Sequence, residues 1–187
     1  MYKIAIAGAG AMGGRIGTSL KKAGYDVTLI DDWAEHVQRI NSRGMEIKTE
    51  NETYTVEIPA VLSKDVSETY DLIIILTKAM QSEAMLTRLK EAGAIHEQTA
   101  ILSMMNGLGH DERLSKFVPM SQIYLAVTMW TAGLRGPGQL LLEGEGAIEF
   151  YRASGDSDEQ TEIIFKALDE AGLHLSLIHI SEPTRPY

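Results

Sequence analysis

Residues 2–14 read YKIAIAGAGAMGG, and the order of residue types in this stretch decides the fold. Tyr2 to Ala7 is a short apolar run of β-forming character, and it ends directly at Gly8, Gly10 and Gly13, a G-x-G-x-x-G loop. Beyond the loop, Ile16, Leu20 and Ala23 recur at helical spacing, and Gly24 stands where a C′ glycine would end the helix. Strand, glycine loop and helix in that order open a βαβ unit built for a dinucleotide. Gly8 permits a tight turn, Gly10 lets the backbone approach a pyrophosphate, and Gly13 allows the helix to pack closely on the strand. The helix start, with Ala11 and Met12 as its first residues, offers unpaired N–H groups to phosphate. The glycine pattern alone is weak evidence in a chain with 17 glycines, but here strand and helix flank it correctly.

Working outward, the same alternation continues. Asp26 to Ile30 reads as a second strand, and Trp33 to Ser42 as a second helix with Val37 and Ile40 turned inward. Met45–Lys48 and Tyr54–Ile58 alternate around Glu50-Asn51-Glu52, which predicts an inserted hairpin. Asp71–Leu76 (DLIIIL) is nearly all apolar, the pattern of a parallel strand covered on both faces. A helix is expected over 81–92, and buried strands over 100–104 and 123–128. Gln139–Leu142 and Ala147–Tyr151 suggest a terminal hairpin. A last helix opens with Ser157-Asp-Glu-Gln160, read as a capping box, and buries Ile163, Ile164, Ala167, Leu168 and Ala171. The fold class is therefore α/β, a doubly wound, mostly parallel Rossmann-type sheet with inserted and terminal hairpins.

Composition narrows the function. Lys and Arg number 17 against 26 Asp and Glu, a net charge of -9, which disfavours nucleic acid as a partner because phosphate backbones need clustered cations. No apolar run reaches the roughly 20 residues of a membrane span, Met1 leads straight into a strand rather than a secretory leader, and the expected location is cytoplasmic. With 0 cysteines, disulfide and thiolate chemistry are excluded. His36, His96, His110, His174 and His179 show no metal-ligand spacing, so no metal site is expected.

Polar residues at strand ends are the remaining candidates. Asp31, at the end of the second strand, follows Gly13 at close to the roughly 20-residue spacing of a ribose-binding acid. With Asp32 beside it, the 2′-phosphate of NADP would meet two negative charges, and Trp33-Ala-Glu-His36 adds no cation to the turn. NAD is thus favoured over NADP, unless a cation elsewhere, such as Arg15, reaches the phosphate. Lys78 and Gln81 follow DLIIIL, and Asn106-Gly107 follow ILSMM, where open α/β sheets bind ligands. Lys78 could neutralise a phosphate or be a solvated turn residue; Asn106 could hydrogen-bond substrate or nicotinamide, or belong to plain turn chemistry. Trp130 could wall a substrate pocket or simply pack.

GAGAMG at 8–13, LTKAMQ at 76–81 and MNGLGH at 105–110 have the order and spacing of the ketopantoate reductase (2-dehydropantoate 2-reductase) family. The chain from Met1 to about His174 resembles that family's N-terminal, dinucleotide-binding domain. The segments LIDDWAEHV (29–37) and TMWTAGLRGPG (128–138) look more like the NAD-dependent branch that includes D-mandelate and related D-2-hydroxyacid dehydrogenases. The resemblance implies that Gly8, Gly10, Ala11, Met12, Gly13, Asp31, Lys78 and Gln81 contact the cofactor. It implies that Asn106 reaches substrate and nicotinamide, in the NAD(P)H-dependent reduction of 2-dehydropantoate or a related branched or aromatic 2-oxo acid. It also allows for a homodimer of the full-length protein. The family's general-acid lysine and a substrate-binding glutamate come from a C-terminal helical domain, and nothing after His174 matches it.

Leu175–Tyr187 begins LSLIHISEPTR, which is what a transposase-type sequencing adapter reads as when translated. The expectation is therefore a single Rossmann domain over 1–174 followed by a non-native tail over 175–187, cofactor-binding but inactive alone. The competing expectation is a non-catalytic NAD-binding regulatory module; Leu168 and Leu173, apolar residues near the tail that call for cover, favour the enzyme fragment.

Overall fold

The computed structural model describes residues 1–104 and 109–177. Its elements in chain order are β1 (Lys3–Ala7), α1 (Ala11–Lys22), β2 (Asp26–Asp31), α2 (Ala34–Arg43), β3 (Met45–Lys48), β4 (Thr53–Val56) and β5 (Ala60–Leu62). They continue with β6 (Tyr70–Ile75), α3 (Ala79–Glu91), β7 (Ile95–Ser103), α4 (His110–Leu114) and β8 (Ile123–Thr128). The last are β9 (Thr131–Gly136), β10 (Gln139–Glu143), β11 (Ile148–Arg152), α5 (Glu159–Glu170) and β12 (Leu175–Leu177).

The main sheet has the order β12-β11-β8-β7-β6-β1-β2-β5. From β8 to β5 every pairing is parallel, whereas β11 runs antiparallel to β8. Side chains alternate through it: Ile4, Ile6, Leu72, Ile74 and Leu102 enter the core on the face that also holds α1 and α5 residues. Ala5, Ala7, Ile73, Ile75 and Ile101 enter the core beneath α3. Both faces are covered, which explains why β6 is apolar at consecutive positions. The chain moves outward from β1 to β2 and β5, then returns to β6 on the other side of β1. The crevice beyond the carboxyl ends of β1 and β6 is therefore the topological switch point, where ligands of such sheets bind.

Helix α1 carries Gly13, Gly14 and Gly17, each of which weakens an isolated helix by roughly 1 kcal/mol relative to Ala. Packing explains them. A Cβ on Gly13 would lie 1.8 Å from the Gly8 carbonyl oxygen, one on Gly14 would lie 2.9 Å from Leu140, and one on Gly17 would lie 2.6 Å from Leu29. The helix is pressed between the main sheet and a second sheet ordered β4-β3-β10-β9.

That second sheet bears out one expectation and corrects another. The inserted hairpin is present as β3 and β4, and it forms part of this separate layer. Gln139–Leu142 and Ala147–Tyr151 are not a hairpin: β10 pairs with β9 and β3, while β11 joins β8 in the main sheet. The partner of β10 is set by the tight Pro137-Gly138 turn, with Gly138 at φ 65°. After Gly144 the chain instead crosses against Trp130, whose backbone a Gly146 Cβ would meet at 2.6 Å. Ile148 and Phe150 then alternate into the main core. The last helix begins one residue later than expected. Asp158 is its N-cap, accepting from the Thr161 N–H at 2.8 Å, while the Asp158 N–H donates to the Thr161 hydroxyl at 3.2 Å. Arg152 at 2.8 Å and the Tyr124 hydroxyl at 3.1 Å fix the Asp158 carboxylate, an anchoring that Ser157 lacks. No described helix is long and apolar enough to cross a membrane.

Candidate functional site

A cleft of about 600 Å³ opens at the switch point, lined by Gly8, Gly10, Asp31, Asp32, Trp33, Lys78, Gln81 and Arg88 among others. Gly8, Gly10, Asp31, Lys78 and Gln81, which the sequence singles out, are thus brought together. Ala11 and Met12 open α1 directly behind Gly10. Gly13 lies beneath the loop, packed on the Gly8 carbonyl, and supports the cleft rather than lining it. Asn106 lies outside the described residues.

The loop is held from three sides by the protein's own groups. The Gly8 N–H donates to the Ile30 carbonyl at 2.8 Å, and the Ala9 N–H donates to Asp31 Oδ2 at 2.8 Å. On the far side, His36 Nε2 meets the Ala9 carbonyl at 2.8 Å. The Gly138 N–H donates to His36 Nδ1 at 2.9 Å, so Nδ1 is the acceptor and Nε2 carries the proton. His36 is fully buried, its ring stacked on Trp33 with centroids 5.1 Å apart. It ties the glycine loop to the β9–β10 turn. Histidine suits the place because one flat side chain accepts from one backbone group and donates to another while its ring stacks on Trp33.

Gly8 has φ 102°, and a Cβ there would lie 2.8 Å from the Thr77 nitrogen. This close approach brings the first turn of α3 alongside the loop. Both helix starts are bare: the N-caps Gly10 of α1 and Lys78 of α3 make no side-chain cap bond, and neither first turn holds an acid. Lys78 is exposed and has no ion-pair partner among the described residues. A Gly10 Cβ would meet nothing within 4 Å, and the buried Thr77 hydroxyl has no hydrogen-bond partner among the described residues. Two unpaired helix starts, open space over Gly10, an orphaned hydroxyl and a lysine are the parts of an anion cradle.

Asp31 keeps capacity for more. A carboxylate has about four acceptor positions. Asp31 Oδ2 takes the Ala9 N–H and Oδ1 takes the Trp33 N–H at 2.9 Å, which leaves one acceptor position on each oxygen. That residue pattern fits a vicinal diol such as a ribose.

Two features escaped the sequence reading. Arg88 Nη2 lies 3.0 Å from Asp32 Oδ2, and the Ser63 hydroxyl donates to Asp32 Oδ1. Arg88 was hidden because it enters from α3, although Gln81, Ala84, Met85 and Arg88 share one helix face by spacing and all line the cleft. Arg15 is engaged elsewhere: its Nη1 donates to the Thr131 carbonyl, and its guanidinium sits 4.0 Å over the Trp130 ring. Desolvation holds the Arg15 pKa below its ordinary value. Trp130 is a packed aromatic, 9% exposed, with its indole N–H donating to the Leu173 carbonyl at 3.0 Å. Its remaining edge lines a second cavity of about 420 Å³ on the far side of α1, together with Arg15 and Tyr54.

The family model described as Ketopantoate reductase PanE/ApbA matches residues 4–155. The chain belongs to the ketopantoate reductase family. It is 41% identical over 174 residues to a 2-dehydropantoate 2-reductase of Lactococcus lactis, covering 92% of this chain and 55% of that protein. A 2-dehydropantoate 2-reductase of Streptococcus pyogenes is 38% identical, covering 90% of this chain and 54% of its own length. Among solved structures, a ternary complex of D-mandelate dehydrogenase with NADH and anilino(oxo)acetate superposes with a TM-score of 0.86 at 44% identity. That alignment covers 94% of this chain and 56% of the dehydrogenase. The α/β architecture read from the sequence is that of the family's N-terminal part, and this chain spans about half the length of the relatives it matches.

Proposed function

We propose that this chain is the dinucleotide-binding part of an oxidoreductase that converts a 2-oxo acid to a 2-hydroxy acid with NAD(P)H. The substrate is 2-dehydropantoate or a related branched or aromatic 2-oxo acid. The observation that carries the reading is the preassembled glycine loop at the switch point, facing two bare helix starts. Family membership and the NADH-bound D-mandelate dehydrogenase relative support it. A dihydronicotinamide bound here would supply the hydride for the substrate's keto carbon.

The chain's own residues do the holding. Gly8, Gly10 and the first N–H groups of α1, at Ala11, Met12 and Gly13, take the pyrophosphate, with Lys78 adding a positive charge. Asp31 accepts the ribose hydroxyls and Gln81 contacts the cofactor from the first turn of α3. Asn106 is proposed to orient substrate and nicotinamide. NAD is favoured by the acids at 31 and 32, with NADP as the alternative. No residue of this chain is assigned as proton donor, and we propose that residues 1–174 bind cofactor without turnover. Residues 175–187 are proposed to be a translated adapter tail. An apolar LSL segment can add to the open edge of β11 whatever its origin. A cytoplasmic location belongs to the same proposal.

The test is an NADH titration of the 187-residue chain, read by nicotinamide fluorescence with Trp33 as energy donor, alongside an assay with 2-dehydropantoate and phenylglyoxylate. Saturable binding with no oxidation of NADH is the expected result. Absence of binding would overturn the dinucleotide reading; steady turnover would overturn the assignment of the chain as a cofactor-binding part.

A further inference from the structure

We propose that Arg88 is a latent 2′-phosphate receptor, disabled by Asp32, and that this pair, acting beside the charge of Asp31, tunes the choice between NAD and NADP. The inference rests on the dinucleotide reading above and deepens it.

The argument begins with what each acid is already doing. Asp31 is committed to the backbone, through the Ala9 and Trp33 N–H groups, and keeps one acceptor position per oxygen for the two ribose hydroxyls. Asp32 has a different set of partners. One oxygen accepts from Ser63, which is 1% exposed, and the other faces Arg88 at 3.0 Å. By the same count each of its oxygens keeps an acceptor position, but unlike Asp31 its charge is already paired with a cation. Its work is to hold a guanidinium at the rim of the cleft.

Charge follows from this arrangement. Asp32 and Arg88 cancel, which leaves the negative charge of Asp31 unopposed next to the ribose 2′ position. A 2′-hydroxyl is welcome there and a 2′-phosphate is not. Remove Asp32, and the nearest charge to a 2′ substituent on that side becomes Arg88, whose planar fork of donors suits a phosphate. The pair is partly exposed, at 42% and 49% of the two side chains, so it contributes little to stability and Arg88 is free to take a new partner. Met85, Leu86 and Leu89 anchor the same turns of α3 in the core, so the backbone of Arg88 stays beside the cleft when Asp32 is removed.

The experiment uses the full 187-residue chain and two probes that differ only at the 2′ position: adenosine 5′-monophosphate and adenosine 2′,5′-bisphosphate. Their affinity ratio is measured calorimetrically at low salt for wild type, Asp32→Ala, Arg88→Ala and the double variant. Asp32→Ala is expected to shift the ratio about tenfold toward the bisphosphate, the size of one charge-assisted hydrogen bond. Arg88→Ala is expected to shift it the other way, because Asp32 is then uncompensated. The double variant should lose the gain, and added salt should shrink it. A purely structural tie between α3 and the end of β2 predicts the same direction for both single variants. That outcome, or a gain that survives in the double variant, overturns the proposal. If wild type binds NADH and Asp32→Ala gains nothing, only this inference falls; if wild type binds neither NADH nor adenosine 5′-monophosphate, the dinucleotide reading falls with it.

Discussion

Helices α1 and α5 each span 12 residues, and both bury a face in the same core, through Ile16 and Leu20 in one and Ile164 and Leu168 in the other. They begin in opposite ways. Helix α5 is closed by Asp158 and Thr161 in a reciprocal cap, with Glu159 and Glu162 in its first turn. Helix α1 starts at Gly10 with no side-chain cap and no acid. An N-cap contributes about 1 kcal/mol, and an acid near the positive helix end adds a few tenths. Helices α2 and α4 also lack side-chain caps but carry acids in their first turns, so α1 and α3, whose starts border the cleft, are the α-helices with neither cap nor acid among the described residues. Helix α3 follows α1 in this respect, its cap being the exposed Lys78.

The difference can be broken most severely at Gly13. Its replacement by Ala would set a methyl 1.8 Å from a backbone oxygen that no rotamer change can move. A loss of about 3 kcal/mol in urea unfolding is expected, with dinucleotide affinity lost alongside; an unchanged midpoint would show that the loop is looser than described. Gly10→Ala sharpens the contrast, since φ is -64° and nothing lies within 4 Å of the added carbon. Stability should change by less than about 1 kcal/mol, the entropy gained in the unfolded chain being offset by the poorer N-cap, while NADH affinity falls about tenfold or more as the methyl enters the phosphate position. A variant that binds normally would place the phosphates elsewhere.

Asp158→Ala is the converse. It should cost about 1 kcal/mol and leave NADH affinity untouched; parallel melting and titration would reveal any coupling between the two helix ends. The smallest effect is in acid. Burial works to raise the Asp158 pKa, but hydrogen bonds from Thr161 and Tyr124, with the charge of Arg152, hold it below its ordinary 3.8. A carboxylate depressed in the folded state stabilises fully above its unfolded pKa, and that contribution fades as pH falls through the folded value. Wild type and Asp158→Asn should therefore differ in stability at neutral pH and converge below about pH 4. A gap that persists into strong acid would assign the cap to shape rather than charge.

How far the sequence could be read depended on the range of the interactions. The glycine loop, Asp31 and the buried strands are local patterns, and each stands where its residues indicated. Arg88 and His36 carry no local signal, because their partners Asp32 and Gly138 lie far off in sequence. The second sheet was obscured differently. Pro137-Gly138 marks a tight turn in plain view, but pairing Gln139–Leu142 with the strand after it instead of the one before concealed β9. At α5 two adjacent residues of capping type competed, and the choice fell to Asp158 through Arg152 and Tyr124, residues remote in the chain.

The His36 bridge has a consequence for how the protein is made. Ala9 is synthesised well before Gly138, yet the histidine that grips its carbonyl is itself held by the backbone of Gly138. A nascent chain can form β1, α1 and β2 soon after they leave the ribosome. The glycine loop acquires its final fixed geometry only once the β9–β10 turn has also emerged and docked. A chain released before Gly138 would display the motif without the grip that shapes it.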